Sequence, residues 1–213
     1  MQLLGQYIKE KWAHRLFSKR ISLKKNLSYF NSLYQNIDGY LVSHEARGEE
    51  HQTSLTYGEV DFYSFSVLLA LAKPSINDVF VDLGSGVGKA CMTAALAFNL
   101  KHCRGIEIVP ALHQQAMNVY EQCTDEVRQQ LNFVCGDYLT HSFSDANIVY
   151  LNATALFGEQ WLAIEERLTM HLSIHTRILI SSKSLNSKHF KLLGMHAVVM
   201  DYGQGHVSLY QKR

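Results

Sequence analysis

The feature that most constrains the fold is a cluster of glycines directly after a short apolar run. The stretch "VFVDLGSGVGKA" at 79–90 places Gly84, Gly86 and Gly88 between residues typical of a buried strand and residues typical of a helix. Glycine allows positive φ and lets a ligand lie against bare backbone. In parallel sheets such turns lie at the carboxyl ends of strands, where α/β proteins bind ligands. The segment predicts a strand–turn–helix unit, with a bound ligand or as a tight turn alone.

From residue 62 onward the chain alternates between helix-like and strand-like segments. Helices are predicted at 62–72, 89–99, 110–123 and 158–171. Strands are predicted at 78–83, 102–108, 131–137, 146–152 and 176–182, before an antiparallel hairpin of 197–202 and 206–210. This alternation is typical of a parallel sheet covered by helices on both faces. We therefore expect an α/β fold with a seven-stranded, mostly parallel, doubly wound sheet.

The N-terminal part has a different character and predicts a two-part organisation. Apolar residues recur at helical spacing up to about residue 47, and 42–60 has the character of a loop. We expect a helical segment or cap at 1–52 and the α/β domain at 53–213. Residues 1–25 contain seven Lys and Arg against the single acid Glu10. Such a segment can contact nucleic acid or another acidic partner, or it can simply be a solvated face.

Composition excludes several classes of protein. The net charge is +1, and the longest apolar stretch, "VLLALA", is far too short to cross a bilayer. The four cysteines never approach CxxC spacing, so they are predicted to be buried thiols in a reducing compartment. No secretory signal pattern is present. We expect a cytoplasmic protein without a membrane partner, although export without a cleaved signal stays open.

Acidic residues lie at or near the ends of the first three predicted strands, and they limit the class of ligand that the site can bind. Asp82 precedes the glycine turn, Glu107 ends the second strand, and Asp137 ends the third. An acid at the end of the second strand can accept hydrogen bonds from both hydroxyls of a ribose.

A nicotinamide fingerprint would place glycine at position 89, where this chain has lysine. A Walker loop would place Ser or Thr at position 90, where it has alanine. Neither a dinucleotide nor a nucleoside triphosphate is favoured, and His171 and His175 do not suffice for a metal site.

The D-x-G-x-G-x-G pattern resembles that of class I S-adenosylmethionine methyltransferases, and further motifs narrow the resemblance. These are "TYGEV" (56–60), "KHCRGIEI" (101–108), "CGDYL" (135–139), "IVYLNATALFGE" (148–159), "ILISSKS" (178–184) and "VSLY" (207–210). Their order and spacing resemble those of the DOT1 family, class I enzymes that methylate a histone lysine without a SET domain. The resemblance covers about residues 53–212.

The resemblance implies S-adenosyl-L-methionine as cofactor and assigns roles to matching residues. Those that would hold the cofactor are Tyr57, Gly58 and Glu59 over its methionine end, Asp82, Gly84 and Gly86 along its amino-acid part, Glu107 at the ribose, and Asp137 and Tyr138 at the adenine, together with Gly88 and Asn152. Asn152, Tyr210 and Tyr57 would be the catalytic residues, with Asn152 at the mouth of a lysine channel that Tyr210 and Leu209 help to wall. No metal is implied. The chain departs from the family pattern at Val60, Lys89, Ala153 and Leu209.

Three hypotheses about function follow. The first is a DOT1-like methyltransferase acting on a lysine of a protein, with basic or histone-like proteins as candidate substrates. The second is a class I methyltransferase for a small molecule, with the N-terminal helices as a lid. The third is a non-catalytic module that binds the cofactor or a partner. The stretch "LNAT" replaces the [DNS]-P-P-[YFW] motif of enzymes that methylate amide or exocyclic amino nitrogens, which argues against those substrates. The oligomeric state is not predicted.

Overall fold

A computed structural model describes residues 23–47, 57–200 and 203–213 of the chain. The helices predicted within 1–22, with most of the basic N-terminal segment, lie outside these described residues. So does the predicted loop at 48–56.

The centre of the molecule is a seven-stranded sheet. Its strands are β1 (Val79–Leu83), β2 (His102–Glu107), β3 (Leu131–Cys135), β4 (Ile148–Asn152), β5 (Arg177–Ser181), β6 (Phe190–Met200) and β7 (Gly203–Lys212). The strand order is β3-β2-β1-β4-β5-β7-β6. The first five strands are parallel, whereas β7 is antiparallel to both β5 and β6. Successive strands are added towards one edge of the sheet from β1 to β3 and towards the other edge with β4 and β5, so the strand order reverses between β1 and β4. The predicted α/β architecture is confirmed.

Helices flank the strands. They are α1 (Leu23–Tyr34), α2 (Gly39–Arg47), α3 (Phe62–Leu71), α4 (Lys89–Phe98), α5 (Pro110–Gln122), α6 (Asp125–Arg128) and α7 (Gly158–His171). Local chemistry fixes several of their ends. The Asp61 side chain accepts a hydrogen bond from the Ser64 amide at the start of α3, and Pro110 occupies the first turn of α5. Asn99 ends α4 in the left-handed conformation.

Two apolar layers cover the two faces of the sheet. Alternate residues of a strand point to opposite faces. Phe80 packs into the layer that contains helices α1, α3, α4 and α5, whereas Val79, Val81 and Leu83 pack into the layer that contains α7. β1 is buried on both faces, as a central parallel strand must be.

Helices α1 and α2 share the core of the sheet. Phe30, Leu33 and Tyr34 of α1 are buried in the same apolar layer as α4 and α5. Phe30 lies 5.3 Å from Phe62 of α3, measured between ring centroids. The two described helices before residue 52 are thus packed directly against the α/β part. The division of the chain at residue 52 stays a prediction.

Three expectations need correction. Residues 42–47, where the predicted helical part and the predicted loop overlap, are helical and form most of α2, so the loop was predicted to begin too early. The hairpin strands are longer than predicted, since β6 begins at Phe190 and the "GQG" segment lies within β7. Cys135 is exposed, whereas Cys91, Cys103 and Cys123 are buried as expected; all four are free thiols. Cys135 sits near the end of an edge strand, β3, where burial ceases.

No helix in the described part of the chain combines the length and apolar character needed to cross a membrane.

Candidate active site

A cleft of about 260 Å³ lies at the carboxyl edge of the parallel strands. The residues that line it come from the ends of β1, β2 and β4, from the loop after β3, from the segment before α3, and from the starts of α5 and α7 with the residues before them. They are Tyr57, Gly58, Leu83, Gly84, Glu107, Ile108, Val109, Leu112, Asp137, Tyr138, Leu139, Leu151, Asn152, Leu156 and Gln160. The cleft therefore sits beside the reversal between β1 and β4, where doubly wound sheets bind ligands.

Glu107 is the buried carboxylate of the cleft. Its Oε2 accepts a hydrogen bond of 2.7 Å from the Gly86 amide, and its Oε1 accepts one of 2.8 Å from the Val109 amide. These two bonds fix the carboxylate while leaving further acceptor positions on both oxygens. Burial raises the pKa of Glu107, and the backbone amides, Val109 first, oppose that rise. The arrangement can accept hydrogen bonds from a pair of ligand hydroxyls.

The end of the cleft at β3 combines a carboxylate, an aromatic ring and apolar side chains. Asp137 Oδ1 accepts a bond of 2.7 Å from the Leu139 amide, which holds the turn after β3. Burial, followed by the charges of Asp137 and Glu107, raises the pKa of Tyr138 to about 12, so its hydroxyl is neutral. Val109 and Leu112 face this region from the start of α5. The three groups suit a flat, partly polar ring.

Sequence reasoning missed the apolar part of the cleft. Ile108, Val109 and Leu112 contribute to its wall, as do Leu139 and Leu156. Ile108 and Val109 could have been predicted to line the cleft, because they directly follow Glu107 and residues that follow a parallel strand lie at the carboxyl edge of the sheet. Gln160, on the first turn of α7, carried no recognisable pattern.

The three glycines of the turn have different surroundings. Gly84 lines the cleft, and a Cβ added there would meet nothing within 4 Å. A Cβ on Gly86 would lie 2.4 Å from the ring of Tyr57, and one on Gly88 would lie 2.6 Å from the ring of Phe133. Neither Gly86 nor Gly88 lines the cleft. Gly84 therefore offers bare backbone to a ligand, while the other two let side chains approach the turn closely.

Asp82 does not line the cleft. Asp82 is 4% exposed. Burial, followed by the charge of Glu107, raises the pKa of Asp82 well above its usual range. Its predicted contact with the amino-acid part of a ligand stays a prediction. In this structure Asp82 is a buried acid beneath the turn.

Tyr57, Gly58 and Glu59 come together with the glycine turn. Tyr57 and Gly58 line the cleft, whereas Glu59 is 7% exposed and does not. Tyr57 Oη donates a bond of 2.7 Å to Glu59 Oε1, and Lys89 forms an ion pair with Glu59 Oε2. Sequence reasoning noted Lys89 only as a departure from the family pattern. Its partner lies thirty residues earlier, a separation that no local pattern reveals.

Asn152 is held at the end of β4 by hydroxyl groups. Its Oδ1 accepts bonds of 2.6 Å from Ser181 Oγ and 2.8 Å from Thr154 Oγ1. Ser181 ends the neighbouring strand β5 and pairs with Asn152 in the sheet register. Since the oxygen of the amide is occupied, its Nδ2 is left to donate to a ligand in the cleft.

Tyr210 lies away from the cleft, contrary to its predicted place in a channel wall. It pairs with Ile178 near the start of β5, whereas the carboxyl end of β5, Ser181, pairs with Val207. The antiparallel direction of β7 thus carries Tyr210 about 10 Å from the carboxyl edge, at roughly 3.3 Å per residue. Tyr210 is buried in the apolar layer with α7, and Leu209 is buried in the other.

Two further departures from the family pattern also lie in the apolar layers. Val60 is buried with α1 and α3, and Ala153 with α7. Lys89 differs from them, because its charge is paired beside the glycine turn.

Within residues 23–47, 57–200 and 203–213, no three His, Cys, Asp or Glu side chains are grouped so that they could hold a metal ion.

Comparison with solved structures defines the class of the fold. An RNA methyltransferase from Salinibacter ruber, in complex with S-adenosyl-L-homocysteine, is similar with a TM-score of 0.59 and 24% identity, over 72% of this chain and 93% of that one. A putative RNA methyltransferase from Pyrococcus horikoshii gives a TM-score of 0.61 at 11% identity, over 89% of this chain and 98% of the other. The fold is that of the class I methyltransferases.

Sequence comparison then identifies the family. A family model described as "Histone methylation protein DOT1" matches residues 42–201. The chain belongs to the DOT1 family, as the motifs predicted, and this is a family of S-adenosylmethionine-dependent methyltransferases.

Two named relatives agree with this membership. The histone-lysine N-methyltransferase, H3 lysine-79 specific, of Caenorhabditis elegans is 31% identical over 147 residues, which are 63% of this chain and 15% of that protein. The protein-lysine N-methyltransferase of Saccharolobus islandicus (strain REY15A) is 33% identical over 82 residues, which are 38% of this chain and 50% of that protein. The chain therefore matches half or less of the length of each.

Proposed function

We propose that this protein is an S-adenosylmethionine-dependent methyltransferase that transfers a methyl group to a lysine side chain of a protein substrate. The observation that carries the proposal is the convergence of Gly84, Glu107, Asp137 and Asn152 around one cleft at the carboxyl edge of the sheet. Membership of the DOT1 family supports the reaction, and the protein-lysine activity named for the two relatives supports the acceptor.

The residues of the cleft fit the proposed cofactor. Glu107 is fixed by two backbone amides and retains acceptor positions suited to ribose hydroxyls. Asp137 and Tyr138 lie in the same cleft beside Val109 and Leu112, where they suit the adenine ring and its amino group. Open backbone at Gly84 suits the amino-acid part. When bound, S-adenosylmethionine supplies a methyl group that its positive sulfur makes electrophilic.

The described residues near Asn152 suit an amine acceptor. Leu83, Leu151 and Leu156 form an apolar wall around this part of the cleft. Burial beside apolar groups lowers the pKa of an ammonium, which favours the neutral amine that can attack. Asn152 would orient the reacting groups through Nδ2, while Ser181 and Thr154 fix its amide plane. Positioning and exclusion of water then account for the catalysis, with no separate nucleophile in the protein.

A methyl-transfer assay with radiolabelled cofactor tests the proposal. The substrates would be purified histones, a cellular lysate, total RNA and a metabolite extract, each with wild-type protein and with Asn152→Ala. We expect label on lysine residues of one or more proteins, identified by mass spectrometry, and loss of at least about 90% of it in the variant, as for removal of one transition-state donor. Label in RNA or in a small metabolite, with none in protein, would reject the lysine acceptor.

The remaining expectations concern the surroundings of the protein. We propose a basic, histone-like substrate protein, supported by the printed activity of the Caenorhabditis elegans relative. Contact of residues 1–25 with nucleic acid is proposed from their basic composition alone. A reducing, cytoplasmic setting is supported by the four free cysteines.

A further inference from the structure

The strongest unexplained feature beside the cleft is the pairing of Lys89 with Glu59. Lys89 is the first residue of α4, and its ammonium would face the positive end of that helix. No acidic residue stands in the first turn of α4 to compensate. Glu59, 7% exposed, supplies the negative charge from a different segment, and the side chain of Lys89 is itself only 19% exposed. A half-buried pair of this kind requires both partners, because removal of one leaves the other charge poorly solvated.

Glu59 also organises the side chain that reaches the cleft. Its Oε1 accepts the hydrogen bond of Tyr57, and burial, followed by the charge of Glu59, raises the pKa of Tyr57 so that the hydroxyl keeps its proton. The ring of Tyr57 packs against Gly86 so closely that a Cβ there would be 2.4 Å away. The Lys89–Glu59 pair is therefore linked to the cleft wall through Tyr57.

The N-terminal helices complete the same cluster. The Glu59 amide donates a bond of 3.3 Å to Tyr40 Oη, and the rings of Tyr40 and Tyr57 meet edge to face at 5.3 Å. A Cβ on Gly39 would lie 2.5 Å from both Glu59 Oε1 and Tyr57 Oη. Tyr34 places its ring 5.5 Å from the ammonium of Lys89, within the range of a cation–π interaction. Helices α1 and α2 thus contribute Tyr34, Gly39 and Tyr40 to the surroundings of the pair.

We infer that Lys89 is a positioning residue, which acts through Glu59 to fix Tyr57 on the wall of the cleft and so sets the affinity for the cofactor. The inference rests on the proposed function for the identity of the ligand. It does not make Lys89 a catalytic residue, since Lys89 does not line the cleft. It gives Lys89, a departure from the family pattern, a specific role in this chain.

The test compares substitutions of Lys89 that keep or remove its charge. Lys89→Met removes it, and Lys89→Arg keeps it. Lys101→Met is the matched control, because Lys101 is an exposed lysine. Each protein is titrated with S-adenosylhomocysteine by calorimetry after circular dichroism has shown that it is folded.

We expect Lys89→Met to bind at least about tenfold more weakly, a difference of about 1.4 kcal/mol. Lys89→Arg should recover most of that affinity, and Lys101→Met should match the wild type. In the transfer assay, Lys89→Met should raise the KM for the cofactor more than it lowers kcat. Unchanged affinity in Lys89→Met, or failure of Lys89→Arg to recover it, would overturn the inference.

Amide hydrogen exchange separates this inference from the proposed function. The Glu59 amide is bonded to Tyr40 Oη, so its exchange in ligand-free protein reports whether the segment is held. Faster exchange in Lys89→Met than in Lys101→Met supports the positioning role even if the wild type binds no S-adenosylhomocysteine, a result that would reject the proposed function alone. Equal exchange in the two variants would contradict the positioning role.

Discussion

At the scale of single residues, the glycines of the structure separate backbone conformation from space. Gly86 and Gly158 both have positive φ, +54° and +52°, but a Cβ on Gly86 would strike the Tyr57 ring and one on Gly158 would meet nothing within 4 Å. The requirement for glycine at position 86 therefore has two causes, and at position 158 it has one.

This difference predicts unequal costs for the same substitution. Gly158→Ala should lower the free energy of unfolding by about 1–2 kcal/mol, the cost of the left-handed conformation for a residue with a Cβ. Gly86→Ala should cost about 1–3 kcal/mol more, since the added methyl group displaces the ring of Tyr57. Urea denaturation followed by circular dichroism measures both. Equal costs in the two variants would show that the contact with Tyr57 is unimportant.

The buried acid beneath the turn gives a prediction about pH. Because burial raises the pKa of Asp82, the folded protein binds this proton more tightly than the unfolded chain does. The stability that protonated Asp82 contributes is complete below the unfolded pKa, about 3.9, and declines as pH rises through the folded value. Asp82→Asn removes that decline. The Tm of Asp82→Asn relative to that of the wild type should therefore increase as pH rises above about 4. The increase should be roughly 3 °C for each pH unit by which folding raises the pKa of Asp82.

Asp145 provides the control of opposite sign for this pH prediction. Its hydrogen bond with Arg104 lowers the pKa of Asp145, so its contribution to stability is lost as pH falls. Asp145→Asn should therefore lower the Tm slightly at neutral pH, and the deficit should vanish in acid. If the Tm difference for Asp82→Asn did not change with pH, Asp82 would not have a raised pKa.

At the scale of elements, Arg177 joins the start of β5 to the end of α3. Its guanidinium donates to the Ala72 and Lys73 carbonyls at 2.6 and 2.8 Å and to Asp78 Oδ2 at 2.7 Å. These contacts connect the middle of the sheet to the segment that leads into β1.

Loss of this connection should be more costly than loss of a comparable surface pair. Arg177→Ala should lower the free energy of unfolding by about 2 kcal/mol, because three charged hydrogen bonds are removed from a half-buried site. Arg104→Ala is the matched control, since Arg104 also donates three hydrogen bonds but its partner Asp145 is 52% exposed, against 12% for Asp78, and should cost less than about 1 kcal/mol. Urea denaturation at neutral pH measures the two values. A larger loss in Arg104→Ala would reverse our ranking of the pairs.

The elements that could be predicted from sequence are those whose pattern reports burial directly. Strand β1 is apolar throughout because both of its faces are covered, and α7 was predicted at its observed bounds, Gly158–His171. The end of helix α2 was ambiguous in sequence, because helical spacing continues to about residue 47 while the loop-like composition begins at residue 42. The position of Tyr210 depends on the register of an antiparallel strand, which the motif "VSLY" does not contain.

At the scale of the whole molecule, the described N-terminal helices and the sheet form one packing unit. Phe30 of α1 is 5% exposed and contacts Tyr34 and Phe62 at centroid distances of 4.7 and 5.3 Å. If the N-terminal helices formed a separate unit, Phe30 would contact only residues of those helices.

The shared core predicts cooperative unfolding. Phe30→Ala should lower the free energy of unfolding by about 3–5 kcal/mol, the usual range for a large aromatic side chain in a core. Leu41→Ala, at a residue 52% exposed, should cost less than about 0.5 kcal/mol. Both variants should unfold in one transition by circular dichroism and by tryptophan fluorescence. Two separate transitions would show that α1 belongs to an independent unit.

The site could be predicted as far as the topology places residues at one edge. Parallel strands bring Gly84, Glu107, Asp137 and Asn152 together whatever their distance in sequence, so the motifs at strand ends were sufficient. The Lys89–Glu59 pair and the Ser181–Asn152 bond were not predictable, because each depends on side-chain geometry between distant segments.

Calorimetric titration of the folded protein with S-adenosylhomocysteine, beside Glu107→Gln, tests the central claim most directly. We predict one binding site per chain and an affinity at least about tenfold weaker in the variant, because an amide has only one oxygen to accept from the Gly86 and Val109 amides and the ribose, and its NH₂ group can only donate. Absence of binding to the wild type, or undiminished binding to a folded Glu107→Gln protein, would contradict the account.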